Sequence, residues 1–129
     1  MTQLEALEQR LYDECIPVIC HSTNELPLKG LYLDGMVFLS SEIKNTAEKR
    51  CVLTEEYCHH CYNYGNVLCD AKQEALARRQ AYEMLVPLRA LRSAEKAGCY
   101  TAWEVAEYLE VTEEVLVSAL ELYKSKGVI

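Results

Sequence analysis

The sequence predicts an α+β fold, a small antiparallel sheet packed with helices. Three observations predict it. Apolar residues recur at helical spacing near the N-terminus and again over most of residues 45–127. Short runs rich in β-branched and aromatic residues fill residues 16–39. Two of those runs meet at Asp34-Gly35, a strong hairpin signal.

Leu4, Leu7 and Leu11 stand three and four apart, so residues 2–14 read as an amphipathic helix, closed by Pro17. Ile16 to Cys20 reads as a strand, and residues 22–29 as a connecting loop. Asp34 and Gly35 both tolerate the positive φ of a type I′ turn, which sets strands at about 30–33 and 36–40. Asn45 can accept a hydrogen bond from the first-turn amides, with Glu48 three residues on as in a capping box. That helix is expected to reach about Tyr62 and stop near Gly65. A further helix runs from Ala71 to about Ala97, interrupted or kinked at Pro87. After a break at Gly98-Cys99-Tyr100, Thr101 with Glu104 opens a short helix, 102–109. Thr112 caps the last one, which ends near Gly127.

The chain has 129 residues, half of them hydrophobic, with three Pro and a net charge of −7 from 20 acids and 13 bases. This length fits one domain, and the composition excludes disorder. No apolar run approaches the roughly 18–20 residues that span a bilayer. Met1 to Arg10 lacks the basic flank and apolar block of a signal peptide, so the expected location is cytoplasmic. The seven cysteines are then reduced, and burial is expected for most of them. Cys51, Cys58 and Cys61 are placed on the core side of their helix. Cys58-x-x-Cys61 is half of a zinc knuckle, but Cys51 lies roughly 10 Å from Cys58 along the helix, too far to join it. Cys69 could complete a site only by folding back across Gly65.

The chemistry concentrates in Leu53-Thr-Glu-Glu-Tyr-Cys-His-His60. Glu55 and His59 are four apart and project from one helix face. In the zinc-protease motif H-E-x-x-H, two His at that spacing hold the metal and the intervening Glu activates a water. Here the pattern is E-E-x-x-H, with Glu55, Glu56 and His59 at those three positions, and a carboxylate is an acceptable zinc ligand. The plain alternative is a solvated Glu/His face. A third ligand belongs on a later element, with Glu74, Glu83 and, more weakly, Asp70 as candidates. Glu74 is alternatively a first-turn acid or the i,i+4 partner of Arg78. His60 points about 100° away from His59 and is expected to be a supporting imidazole. His21 reads as a polar loop residue.

Four segments taken in order resemble the ImmA/IrrE family of metallopeptidases, of the phage and integrative-element type. Residues 28–39, Leu-Lys-Gly-Leu-Tyr-Leu-Asp-Gly-Met-Val-Phe-Leu, are similar to the family's strand pair. Residues 45–60, with the double His at the end, are similar to its metal-site helix. Ala77 to Pro87 is similar to the end of its next helix, and Thr101 to Thr112 to its closing helix-turn-helix. The resemblance implies a zincin-like metallopeptidase domain over residues 1–97. Residues 98–129 would form a helix-turn-helix-like extension packed on the same core. It implies zinc as cofactor, Glu56 as general base, and Glu55, His59 and Glu74 as metal ligands; beside it, the residues themselves make His60 and Arg78 candidates for supporting the site. Glu55 stands where the family's first His usually stands. An anionic ligand there leaves the metal a weaker Lewis acid, so slow and narrowly specific proteolysis is expected. The implied partner is a protein, a transcriptional repressor that the chain cleaves or causes to be cleaved. The competing reading is a zincin-shaped adaptor that binds the repressor without proteolysis.

A closing helix-turn-helix also suggests DNA, but residues 101–129 hold six Glu against Lys124 and Lys126, and such a surface cannot neutralise phosphates. Direct nucleic-acid and membrane partners are therefore not expected. Trp103, Tyr108, Leu109, Val115, Leu116 and Leu120 are expected to pack. Lys72, Arg78, Arg79, Arg89 and Arg92 gather on residues 71–97 as a solvated helix face or as substrate-orienting bases.

Overall fold

A computed structural model describes residues 2–22, 24–63 and 71–129. Helix α1 (Gln3–Asp13) opens on a capping box in which Thr2 and Glu5 bond one another's backbone amides. It leads into three strands, β1 (Val18–His21), β2 (Gly30–Leu33) and β3 (Met36–Ser40). The long helix α2 (Thr46–Asn63) follows. Its first turn is held by Asn45, whose Oδ1 accepts from the Glu48 amide at 3.1 Å. Glu48 does not reach back as in a capping box; it pairs with Lys29 Nζ at 2.7 Å.

From residue 71 onward come α3 (Ala71–Leu85), α4 (Leu88–Lys96), α5 (Ala102–Leu109) and α6 (Glu113–Ser125). Pro87 divides what the periodicity joins, because it cannot donate into a continuing ladder, and it stands as the N-cap of α4. Thr101 and Thr112 cap α5 and α6 through the amides of Glu104 and Val115. The expected end near Gly65, Asp70 and Cys69 lie outside the described residues.

The α+β class holds, but the sheet is mixed, in the order β1-β3-β2. β2 and β3 form the expected hairpin, with φ of 51° at Asp34 and 78° at Gly35, both positive as a type I′ turn requires. β1 is the correction to the antiparallel expectation: it pairs with β3 in parallel, Val18 opposite Val37 and His21 opposite Ser40. The segment between β1 and β2 carries the chain to the far edge, so β3 becomes the central strand.

Among the described residues three apolar clusters share α2, the smallest of them Cys58 with Ala77 and Ala81 of α3. Leu7, Leu11, Val37, Leu39, Leu53 and Tyr57 fill the space between α1, the sheet and α2. Cys51, Leu85, Val86, Ala106, Leu109 and Leu116 join α2 and α3 to the C-terminal helices. Tyr123 fixes that seam by donating to the Val86 carbonyl at 2.7 Å. Among the described residues no helix is long and apolar enough to cross a membrane.

Several packing expectations are corrected. Cys51 and Cys58 are buried, but Cys61 is exposed, as are Cys15 and Cys20, so burial does not hold for most of the described cysteines. Cys61 sits in the last turn of α2, where none of the described elements covers it. Burial pushes the Cys58 thiol up to about 12, and its Sγ sits 3.6 Å from Met84 Sδ, as for a packed thiol. Leu109 and Leu116 are buried, and Val115 and Leu120 pack against them. Trp103 and Tyr108 are instead 61% and 49% exposed, on faces of α5 turned from the core. His21 is no loop residue; it ends β1 and is buried, with Nδ1 3.1 Å from the Ser22 carbonyl.

Candidate metal centre

The middle of α2 and the first turn of α3 build the site. α2 and α3 pack side by side, and the four-residue step from Glu55 to His59 turns both towards α3. Glu74 meets them from the first turn of α3. Each of Glu55, His59 and Glu74 offers one ligand atom, and the three atoms lie within 4.8 Å of one another. All three side chains are half-buried. This is the one such group of three among the described residues. Glu83 is not part of it: its carboxylate, near the other end of α3, is held by Lys126 Nζ at 2.7 Å.

His59 is fixed from both sides. Its Nδ1 is 3.2 Å from Glu56 Oε1, and its Nε2 is 3.3 Å from Glu74 Oε2. The second contact lacks hydrogen-bond geometry, and Nε2 is a buried nitrogen with no hydrogen-bond partner among the described residues. Such a group costs about 1–3 kcal/mol when left unmade. A proton placed on Nδ1 by the bond to Glu56 leaves the Nε2 lone pair directed into the carboxylate pair. A metal-ligating imidazole is commonly oriented in this way, by a carboxylate on its other nitrogen.

The charges are frustrated in the same sense. Glu56 hydrogen-bonding, with the Glu74 and Glu55 charges behind it, raises the His59 pKa above its usual value against the effect of burial. Burial first, and then the Glu56 charge, raise Glu55. Arg78 offsets part of this, with Nη2 3.1 Å from Glu74 Oε1 and Nε 3.6 Å from Glu55 Oε1. Three carboxylates less one guanidinium leave two negative charges around the imidazole, the complement of a divalent cation. The N/O donor set suits zinc, which accepts His nitrogen and carboxylate oxygen.

Glu56 is among the few buried charged side chains, 6% exposed. Strand β2 covers it. A Cβ built on Gly30 would meet Val52 Cγ1 at 2.5 Å and Glu56 Cγ at 3.2 Å, so only glycine lets the strand pass this close. His60 points elsewhere: its Nδ1 is 2.9 Å from the Tyr32 hydroxyl on β2, with the two rings edge to face. Spacing alone brings out Glu55 and His59, with Glu74 among three candidates for the third ligand. It misses Gly30 and Tyr32, although an isolated glycine opening a strand is itself a sign of close backbone approach.

No curated protein and no solved structure compared with the chain matches it. A family model, the IrrE N-terminal-like domain (Peptidase M78), matches residues 16–121, which includes every element from β1 to α5, most of α6 and the whole candidate centre. The chain therefore belongs to the ImmA/IrrE family of metallopeptidases.

Proposed function

We propose that the chain is a cytoplasmic, zinc-dependent endopeptidase of a phage or mobile element that cleaves, or promotes cleavage of, a partner repressor. The observation that carries this reading is the convergence of Glu55, His59 and Glu74 around a buried His59 Nε2 that has no hydrogen-bond partner among the described residues, in a chain of this family. Those three residues would hold the ion. When bound, zinc would supply the Lewis acidity that polarises a scissile carbonyl. Glu56 takes the proton of the attacking water and returns it to the leaving nitrogen, a role worth about 10²–10⁴-fold in rate. Arg78 holds the Glu55 and Glu74 carboxylates in place. His60, tied to Tyr32, steadies β2 against the end of α2. The acidic C-terminal helices favour a protein partner over nucleic acid.

One observation favours the second reading, a zincin-shaped adaptor that binds the repressor without cutting it. The Glu56 Oε1 atom is engaged with His59 Nδ1, which suits an orienting carboxylate as well as a base. Elemental analysis of the purified protein, with a cleavage assay on the partner, separates the readings. The enzyme contains stoichiometric zinc, loses it on Glu55→Ala or His59→Ala, and on Glu56→Gln keeps zinc but not cleavage. A metal-free chain that still binds the repressor is the adaptor. Zinc unchanged in Glu55→Ala removes Glu55 from the ligand set.

A further inference from the structure

Away from the metal cluster, a groove of about 510 Å³ runs between α1, α2 and the end of α3. A second hollow of about 300 Å³ continues it along α4 to the end of α5. None of Glu55, His59 and Glu74 lines either. Pockets of roughly 300–1,000 Å³ are the size that takes small molecules. The walls combine apolar surface, from residues such as Leu85 and Pro87, with Arg50 and Arg89, which line both hollows, and Arg10 at one end. In a chain of net charge −7 this gathering of guanidinium groups requires an account.

Arg50 is the informative member. It is a charged residue only 8% exposed, and among the described residues it has no ion-pair partner. Its Nη1 donates to the carbonyls of Leu109 at 2.7 Å and Glu110 at 3.1 Å. Glu110 is the left-handed C-cap of α5, so this bond secures the end of that helix, and the partial negative charge there meets part of the guanidinium charge. The Nε and Nη2 atoms make no hydrogen bond among the described residues, yet neither is a sealed, unpartnered nitrogen. Arg50 lines both hollows, so these two nitrogens are the donors it has left for a ligand there. Burial also pulls the Arg50 pKa below its ordinary value, the mark of a charge short of compensation. The nearby acids supply only part of it: Glu83 lines the groove as well, and the Glu110 charge offsets some of the effect of burial. Glu83 is held by Lys126, and Glu110 lines the second hollow without reaching ion-pair distance. Arg89 likewise has no ion-pair partner among the described residues, while Arg10 is shared with Glu14 at 3.6 Å. An open Arg fork matches a planar carboxylate in two parallel hydrogen bonds.

We infer that this groove binds the carboxylate of a small acid with an apolar body, the carboxylate on the free edge of Arg50 beside Arg89 and the body along Leu85 and Pro87. Because Arg50 also holds the end of α5, an occupied groove would tie the C-terminal helices more firmly to α2. This site is independent of the metal centre and of the peptidase reading.

The test is an amide-shift titration of the full chain by NMR with N-acetylphenylalanine, its neutral amide and inorganic phosphate as probes. The acid should give saturable shifts around Gln3, Ala90 and Leu109, and the neutral amide none. Arg50→Lys should weaken binding by about tenfold or more, the loss expected for a charged hydrogen-bonded pair. Arg89→Gln, at an exposed position, should weaken it a few-fold and keeps the question decidable if Arg50→Lys does not fold. Four results would each overturn the assignment: no saturable shift, an equal response to the neutral amide or to phosphate alone, shifts confined to Glu55, His59 and Glu74, or undiminished binding in the folded variants.

Discussion

Around His59, three carboxylates are held together with only one guanidinium to offset them, beside a buried ring nitrogen that has no hydrogen bond among the described residues. In α5 and α6 each local requirement is met nearby. Thr101 and Thr112 cap their helices, Arg50 takes the last carbonyls of α5, and Leu109, Leu116 and Ala119 fill one apolar cluster. The packing of the tail is accounted for by these local contacts. The cluster leaves interactions unmade that a divalent cation would complete, and local rules tend to be broken in this way where a protein binds or reacts.

The largest test separates the two regions energetically. Leu116 is 1% exposed in the tail cluster. Leu116→Ala should cost about 2–5 kcal/mol from lost transfer energy and the cavity left behind. Denaturant unfolding measures it, and zinc content at low denaturant should not change. A loss of metal together with stability would show that the tail shapes the centre, and the contrast drawn above would fail.

Next in size is Gly30→Ala, at the point where β2 meets the centre. The added methyl forces Val52 and Glu56 aside, at about 1–3 kcal/mol for an overpacked site. Unlike Leu116→Ala, it should also weaken zinc binding, because Glu56 carries the bond that orients His59. Titration with a competing chelator reads that term, and zinc affinity equal to the parent chain's would detach Glu56 from the ligand geometry.

How much of this was legible in the sequence follows from the range of the forces. The hairpin was legible because Asp34 and Gly35 carry their turn type in two residues. The caps of Thr101 and Thr112 depend on three-residue spacings, and the Glu55–His59 pair on a four-residue one. The direction of β1 was not legible: Val18 to His21 would read the same in either orientation, and the choice lies in how the connection crosses the sheet. The bond from Glu56 to His59 was hidden because a motif reading assigns one role per position, while Glu56, three residues before His59, can reach the ring itself. Cys61 failed because apolar character alone says nothing about which part of a long helix has a neighbour.

A smaller effect tests how far the tail depends on local grammar. Thr101→Ala removes the acceptor for the Glu104 amide and the hydroxyl that donates to the Glu104 carboxylate. The expected cost is about 1 kcal/mol, read as a lower midpoint with an unchanged denaturant slope.

The smallest expected effect concerns Trp103, the sole tryptophan. The largest apolar side chain in a helix would ordinarily anchor it, and its truncation in a core would cost about 3–5 kcal/mol. Yet Trp103 is 61% exposed, and α5 buries Ala106 and Leu109 instead. Trp103→Ala should therefore change stability by no more than about 0.5 kcal/mol, as for a surface substitution away from caps and buried groups. Its fluorescence provides a second reading in the parent chain: emission should be that of a water-exposed indole and readily quenched by iodide. A loss well beyond that limit, or a shielded indole, would place Trp103 in the core, and α5 would then be packed on a different face from the one its buried Ala106 and Leu109 define.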